Sequence, residues 1–132
     1  MILRFTLLTI FLYSAIYSQT QIAVVEFQGK GVSTIEASAL TDRLVLELFK
    51  TGQFTVLERE MLDKILEEQK FQLSGCTSTE CLIEIGRLAN VQEIVSGSVS
   101  KVGSYFSISA KLISVESGKI LKVAVYDYSG QL

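Results

Sequence analysis

Between Glu93 and Tyr128 the chain reads EIVSGSVSKVGSYFSISAKLISVESGKILKVAVYDY, three alternating runs separated by two glycine-containing breaks. Period-two alternation is the signature of strands with one covered face, and glycine breaks of this kind are hairpin turns. A two-residue loop at Gly103-Ser104 pairs Val102 with Tyr105, which sets Val99 opposite Ile108 and Gly97 opposite Ala110. Ser117-Gly118 supplies the second turn, as a two-residue loop or a bulged one with Gly118 at positive φ. This parity puts Val95, Gly97, Val99, Phe106, Ile108, Ala110, Leu112, Leu121, Val123 and Val125 on covered sides of their strands. The other side carries Ser96, Ser98, Ser100, Ser107, Ser109, Lys111, Lys122 and Tyr126, and is expected to meet water or a partner. A slip of one residue would turn a whole strand over, so the pattern itself specifies the register.

The 132 residues fit one domain with a substantial core. A formal net charge of −2 argues against a nucleic-acid binder. Histidine is absent, which removes the usual general base, the usual metal ligand and every Ser-His or Cys-His nucleophile pair. Two cysteines alone do not complete a zinc site. No catalytic residue, cofactor site or metal ligand is therefore nominated, and the chain reads as a non-enzyme.

Residues 1–18, MILRFTLLTIFLYSAIYS, combine Arg4, an apolar run from Phe5 to Ile16 and a small-residue end, the form of a cleaved secretory signal. The run is short for a membrane span, which takes about 20 apolar residues. The expected mature domain is 19–132, exported and soluble. Charge is unevenly spread along it. Gln19 to Glu93 holds 12 acids and 7 bases, a net of −5; Ile94 to Leu132 holds 2 acids and 4 bases, a net of +2. The basic half suits an anionic partner, and ordinary solvation of a few lysines explains it equally well.

Upstream of the alternating runs, IAVVEF (22–27) reads as a central strand and residues 28–32 as a glycine-containing loop. Ser33 and Glu36 make a capping box for a helix with Ala37, Leu40, Leu44 and Leu48 inward, closed by Gly52. Phe54 to Glu58 is a short strand, and Glu60 to Lys70 a helix with Met61, Leu62, Ile65 and Leu66 inward. A third helix, opened by a Thr77–Glu80 capping box, buries Leu82, Ile85, Leu88 and Ala89 and ends at Asn90. The order β-α-β-α-α-β-β-β predicts an α+β fold of two layers: a mixed sheet of about five strands, helices chiefly on one face, and a C-terminal antiparallel meander.

Three features invite chemistry. Gln28-Gly29-Lys30-Gly31-Val32-Ser33 lies between a strand and a helix but matches neither phosphate-loop pattern, so a capped turn is the default. The serines of the meander lie in no G-x-S-x-G and have no histidine to activate them. Glu26 is a carboxylate at a strand end, expected to meet Lys30 or the sheet rim. Cys76 and Cys81 are expected to form a disulfide across the start of the third helix; the alternative, a redox-active couple, ordinarily has Cys-X-X-Cys spacing. Tyr105, Tyr126 and Tyr128, with Lys111 and Lys122, are the candidate partner-binding residues.

Taken together, IAVVEF, the helix ending ELFKTG, FTVLERE, LDKILEEQ, SGCTSTECLIEIGRLANVQEIVSGSVSKVG and ISAKLISVESGKI resemble the CsgG-type envelope domain. That superfamily takes in the curli secretion channel protein CsgG, the penicillin-binding-protein activator LpoB and, more distantly, the amino-terminal domain of TolB. The resemblance implies a periplasmic α/β domain that works by binding an envelope protein or by self-association. It also implies a closing helix beyond Ser129-Gly130-Gln131-Leu132, so the domain is expected to be short or incomplete there. No lipidation cysteine follows the apolar run, and no extra pair of amphipathic hairpins of about 10 residues per strand is present to build a barrel. Outer-membrane association is therefore expected only through a partner. An oligomeric component of a curli-type secretion complex is the alternative reading.

Overall fold

The computed structural model describes residues 18–72, 76 and 78–130. All of the expected signal segment except Ser18 lies outside them, as does Thr77. The described chain forms β1 (Thr20–Val24), β2 (Gln28–Lys30), α1 (Thr34–Lys50), β3 (Phe54–Val56), α2 (Arg59–Glu68), α3 (Thr79–Leu88), β4 (Glu93–Val102), β5 (Tyr105–Ser114) and β6 (Ile120–Ser129). These make an α+β fold with a mixed sheet in the order β3-β1-β4-β5-β6, and β2 pairs with β4 off that path. Contacts of β1 with β3 and with β4 are parallel, whereas β4, β5 and β6 form the antiparallel meander. The sixth strand is β2, where the sequence reading has a loop; it continues the line of β1 along the outer half of β4.

Alternation along the inner strands buries both faces. Ile22 and Val24 of β1 share one face with Val95 and Val99 of β4, packed against Leu40, Leu44, Val45 and Leu48 of α1. Ala23 of β1, Ile94 of β4 and Ile113 of β5 point the other way, into Leu62 and Leu66 of α2 and Leu82 and Ile85 of α3. Two of the three described helices thus share one face and α1 covers the other. Buried Thr41 fastens α1 to the sheet: the Phe27 N–H donates to its hydroxyl (3.0 Å), which donates to the Ala37 carbonyl (2.7 Å). Gly97 is glycine because a side chain there would run into the Phe27 ring and the Ser109 carbonyl.

Helix ends follow local chemistry. Ser33 caps α1 in a full capping box with Glu36. The Ser33 backbone N–H holds the Glu36 carboxyl below its usual range, so its stabilising contribution is complete above pH 4.5 and fades as pH falls through the lowered value. Gly52 closes α1 at φ +68° and Asn90 follows α3 at φ +54°. At α3 the N-cap is Ser78 in place of the expected Thr77, and its hydroxyl accepts the Cys81 N–H (3.2 Å) without the reciprocal bond of a capping box. In α2 Leu62 and Leu66 are buried as expected, while Met61 faces solvent.

The first hairpin has the expected register, with Val99 opposite Ile108 and Gly97 opposite Ala110. Gly103 takes φ +62° at the first loop position, which suits a type II′ turn. The second hairpin corrects the sequence reading. Its loop spans Val115 to Gly118, closed by the Ser114 N–H donating to the Lys119 carbonyl. Ile113 pairs with Ile120, but Leu112 pairs with Lys122, so Leu121 is an extra residue bulged out of the ladder. One extra residue inverts parity for the rest of the strand. Val123 and Val125 therefore stand opposite Lys111 and Ser109 on the serine face, and Lys122, Ala124 and Tyr126 stand opposite Leu112, Ala110 and Ile108. Among the described residues no helix covers either side of β6, which is exposed along its whole length. Val123 is 64% and Val125 63% exposed, against the expectation that they are covered, whereas Ile108 is half-buried.

Cys76 and Cys81 form the expected disulfide, with their Cα atoms 5.6 Å apart. It ties the approach to α3 to that helix's first turn.

Two predictions follow the burial pattern and the bridge. Ile85→Ala, at a site with no exposure, lowers unfolding stability by about 2–5 kcal/mol, whereas Val123→Ala changes it by less than about 0.5 kcal/mol; urea melts of the two variants check this, and a large loss at Val123 would mean that β6 is covered. Reducing the Cys76–Cys81 loop of six residues costs roughly 2 kcal/mol in the chain-entropy model, read as the shift in urea midpoint with and without dithiothreitol.

Candidate functional site

Apolar residues normally disappear first into a core, so the polar-lined and uncovered parts of the sheet are where a partner would act. β1 and β4 are closed on both faces around Ala23–Val24 and Ile94–Val95; further out the sheet projects beyond the helices. Two surfaces result.

The first is a half-open groove of about 300 Å³ on the serine face. Its floor is Ser96, Ser98, Ser109 and Lys111, its walls include Glu26 and Lys30, and the α3 side contributes Cys76 and Leu82. Ser98 and Ser109 hydroxyls hydrogen-bond each other across the strands at 3.0 Å. This pair is polar sheet surface with no adjacent base. Glu26, expected to meet Lys30 or the sheet rim, pairs with Arg59 (3.4 Å). Arg59, absent from the sequence reading, also binds the Asp42 carboxylate and the Ser38 carbonyl (3.3 Å), bridging α2 to α1. Nothing in its sequence neighbourhood signals that role, because the three partners lie on other elements.

The second surface is β6 itself. Every residue from Ile120 to Ser129 is exposed, and Ile120, Leu121, Val123, Val125, Tyr126 and Tyr128 are large and apolar or aromatic. Tyr126 lies opposite Ile108, and Tyr128 opposite Phe106, whose buried ring also carries Lys101 Nζ 5.2 Å from its centroid.

The five candidate partner-binding residues divide between faces. Tyr105 and Lys111 lie on the serine face, at opposite ends of β5; Lys122, Tyr126 and Tyr128 lie together on the face that α1 covers further in. The Tyr105 phenol is held above its usual range, first by loss of solvation against the sheet and then by the nearby Asp127 carboxylate. The expected juxtaposition of Lys111 with Lys122 and Tyr126 does not occur, because the Leu121 bulge separates them.

The Gln28–Ser33 segment is a strand and a turn. Gly31 takes φ +76° against the Lys101 carbonyl, and the Glu36 carboxylate occupies the Ser33 N–H that an anion would use. Among the described residues no group of three or more acidic, cysteine or histidine side chains is placed to hold a metal ion. No described helix is long and apolar enough to cross a membrane.

Comparison with known proteins agrees with this architecture. The LpoB C-terminal domain from Salmonella enterica superposes with a TM-score of 0.71 at 16% identity, covering 92% of this chain and 90% of that one. Lipoprotein GNA1162 from Neisseria meningitidis gives 0.69 at 11% identity, covering 83% and 80%. A PelC dodecamer from Paraburkholderia phytofirmans gives 0.51 at 17% identity, covering 85% and 72%. These likenesses concern the fold. No curated protein matches by sequence. The family model for the curli production assembly/transport component CsgG matches residues 14–111, most of the chain, and the protein therefore belongs to the CsgG family.

Proposed function

We propose that this protein is a non-enzymatic periplasmic interaction module of the CsgG and LpoB type. In this reading residues 1–18 are an export signal, and residues 19–132 bind an envelope protein through the projecting outer half of the sheet. The observation that carries the reading is β6: six large apolar or aromatic side chains exposed on one strand. An uncovered surface of this kind ordinarily marks a protein contact. The aromatic pair Tyr126 and Tyr128, next to Lys122, has the composition of an interface centre. Membership of the CsgG family supports an envelope setting. Any link to the outer membrane would then run through the partner.

A second reading, an oligomeric component of an outer-membrane secretion or assembly complex, is favoured by one observation: the PelC neighbour is a dodecamer. A thiol-redox role has less support, since the cysteines sit five positions apart in sequence and brace the start of a helix.

In-cell crosslinking tests the leading reading. A photoreactive residue at position 126 is expected to capture an envelope protein. Lys122→Ala combined with Tyr128→Ala lowers that capture by roughly 30-fold, the effect of losing about 2 kcal/mol of hot-spot contact. Met61→Ala, on the exposed side of α2, leaves it unchanged. Equal capture by all three proteins would contradict the assignment of the surface.

A further inference from the structure

The rim of the projecting sheet carries information that its faces do not. In the Gly103-Ser104 hairpin, Val102 and Tyr105 flank a two-residue loop and so form a mutually hydrogen-bonded pair. The odd-numbered residues of β5 therefore turn their backbone groups to β4, and its even-numbered residues turn theirs to β6. The Gly130 N–H donating to the Ser104 carbonyl (2.9 Å) continues the same parity. Along β6, then, Lys122, Ala124, Tyr126 and Tyr128 bond β5, while the N–H and C=O groups of Val123, Val125 and Asp127 point outward. Among the described residues no strand pairs with that edge. The opposite edge, β3, is three residues long, too short to offer a comparable template.

Natural sheets blunt such edges with proline, inward charge, bulges or a cover. Here the chain has no proline and the single bulge lies at Leu121, near the start of the strand. From Val123 to Tyr126 the edge is regular, uncharged and, among the described residues, unpaired. We infer that β6 pairs antiparallel with β6 of a second copy of this chain, about a two-fold axis at Ala124, joining two sheets into one.

Self-complementarity selects this occupant and this register. With Ala124 opposite Ala124 of the partner subunit, Val123 lies opposite the partner's Val125 and Val125 opposite the partner's Val123. Both are outward-bonding positions, so these two pairs alone give roughly four backbone hydrogen bonds at two per narrow pair. Four valines then form a contiguous apolar patch on the serine face. On the other face Lys122 meets the ring of the partner's Tyr126, a cation–π pair repeated by symmetry. The pair at the axis is of the close, non-hydrogen-bonded kind, at about 4.5 Å between Cα atoms, where alanine is small enough to fit. No like charges meet. Two-fold registers centred one or two residues further on are poorer: at Val125, Val123 faces the partner's Asp127; at Tyr126, Val125 faces that aspartate. The contact is isologous and closes at two copies. It extends the reading of the outer sheet as an interaction surface by naming what sits on its rim, and leaves both faces of the joined sheet open.

Sedimentation equilibrium of the purified protein, with three variants, tests the inference. The unaltered protein is expected to be a concentration-dependent dimer. Val125→Pro removes an outward N–H without touching the β5 ladder, and should raise the dimer dissociation constant at least tenfold while far-UV circular dichroism stays unchanged. Val125→Lys, which needs no backbone change, should do the same by setting charges together and guards against misfolding of the proline variant. Ala124→Cys provides a free thiol beside the already bridged Cys76–Cys81 pair, and should give an intermolecular disulfide under mild oxidation. A monomer at all concentrations up to about 100 μM, well above the micromolar range of weak interfaces, would overturn the proposal. So would a dimer indifferent to both Val125 variants, or a dimer in which Ala124→Cys does not crosslink. If the Val125 variants are monomeric yet position 126 still captures an envelope protein, the face reading stands apart from the rim; loss of capture with an intact dimer removes the face reading alone.

Discussion

Adjacent residues on a strand point to opposite sides, and at Ile94 and Val95 of β4 both sides are closed. Ile94 is wholly buried against α2 and α3, and Val95 nearly so against α1. The rest of the structure depends on that two-sided closure of a central strand. It draws β1 alongside β4 in parallel, commits α1 to one face and the helix pair to the other, and anchors the meander at its inner end. The helices are too short to follow the ten-residue strands β4, β5 and β6 to their outer ends. The outer half of the sheet is left projecting, and the interaction surface exists because the core ends before the sheet does.

Much of this was legible in the residues. The Val102–Tyr105 hairpin follows from Gly103 and from strict alternation on both sides of it. The Ser33–Glu36 box, Gly52 and Asn90 mark helix ends by chemistry confined to a few neighbouring residues, and the Cys76–Cys81 bridge is equally local. What failed were features decided by single residues or by distant partners. Parity alone reads Leu121, Val123 and Val125 as a covered row, and without the bulge they would lie opposite Leu112, Ala110 and Ile108. The Leu121 bulge costs one residue of register and turns Val123 and Val125 over. Likewise β2 is a strand only because the outer part of β4 lies beside it, and Arg59 and Thr41 act through residues on other elements.

The same bulge explains why the candidate site was only partly readable. Lys111, Lys122 and Tyr126 look like one surface in the sequence and are split in space, while Lys122, Tyr126 and Tyr128 stay together because they are spaced by two or four on one strand. Inversion also gives β6 its character. A strand with its valines in the core would show lysine and tyrosine outward and be well protected; turned over, it exposes apolar groups on both sides of an unpaired edge. An uncovered strand of this kind is an aggregation hazard unless something binds it, which is the physical reason to read this family member as a protein that works through contacts.

The orientation of β6 is the claim on which the surface, the edge and their chemistry rest. Nuclear Overhauser contacts between cross-strand Hα atoms read it most directly, since only non-hydrogen-bonded antiparallel pairs bring these protons together. The bulged ladder predicts strong contacts of Ser109 with Val125 and of Lys111 with Val123. Contacts of Ser109 with Ala124 and of Lys111 with Lys122 would instead show an unbulged ladder with the valines turned to the covered side, and would contradict the account.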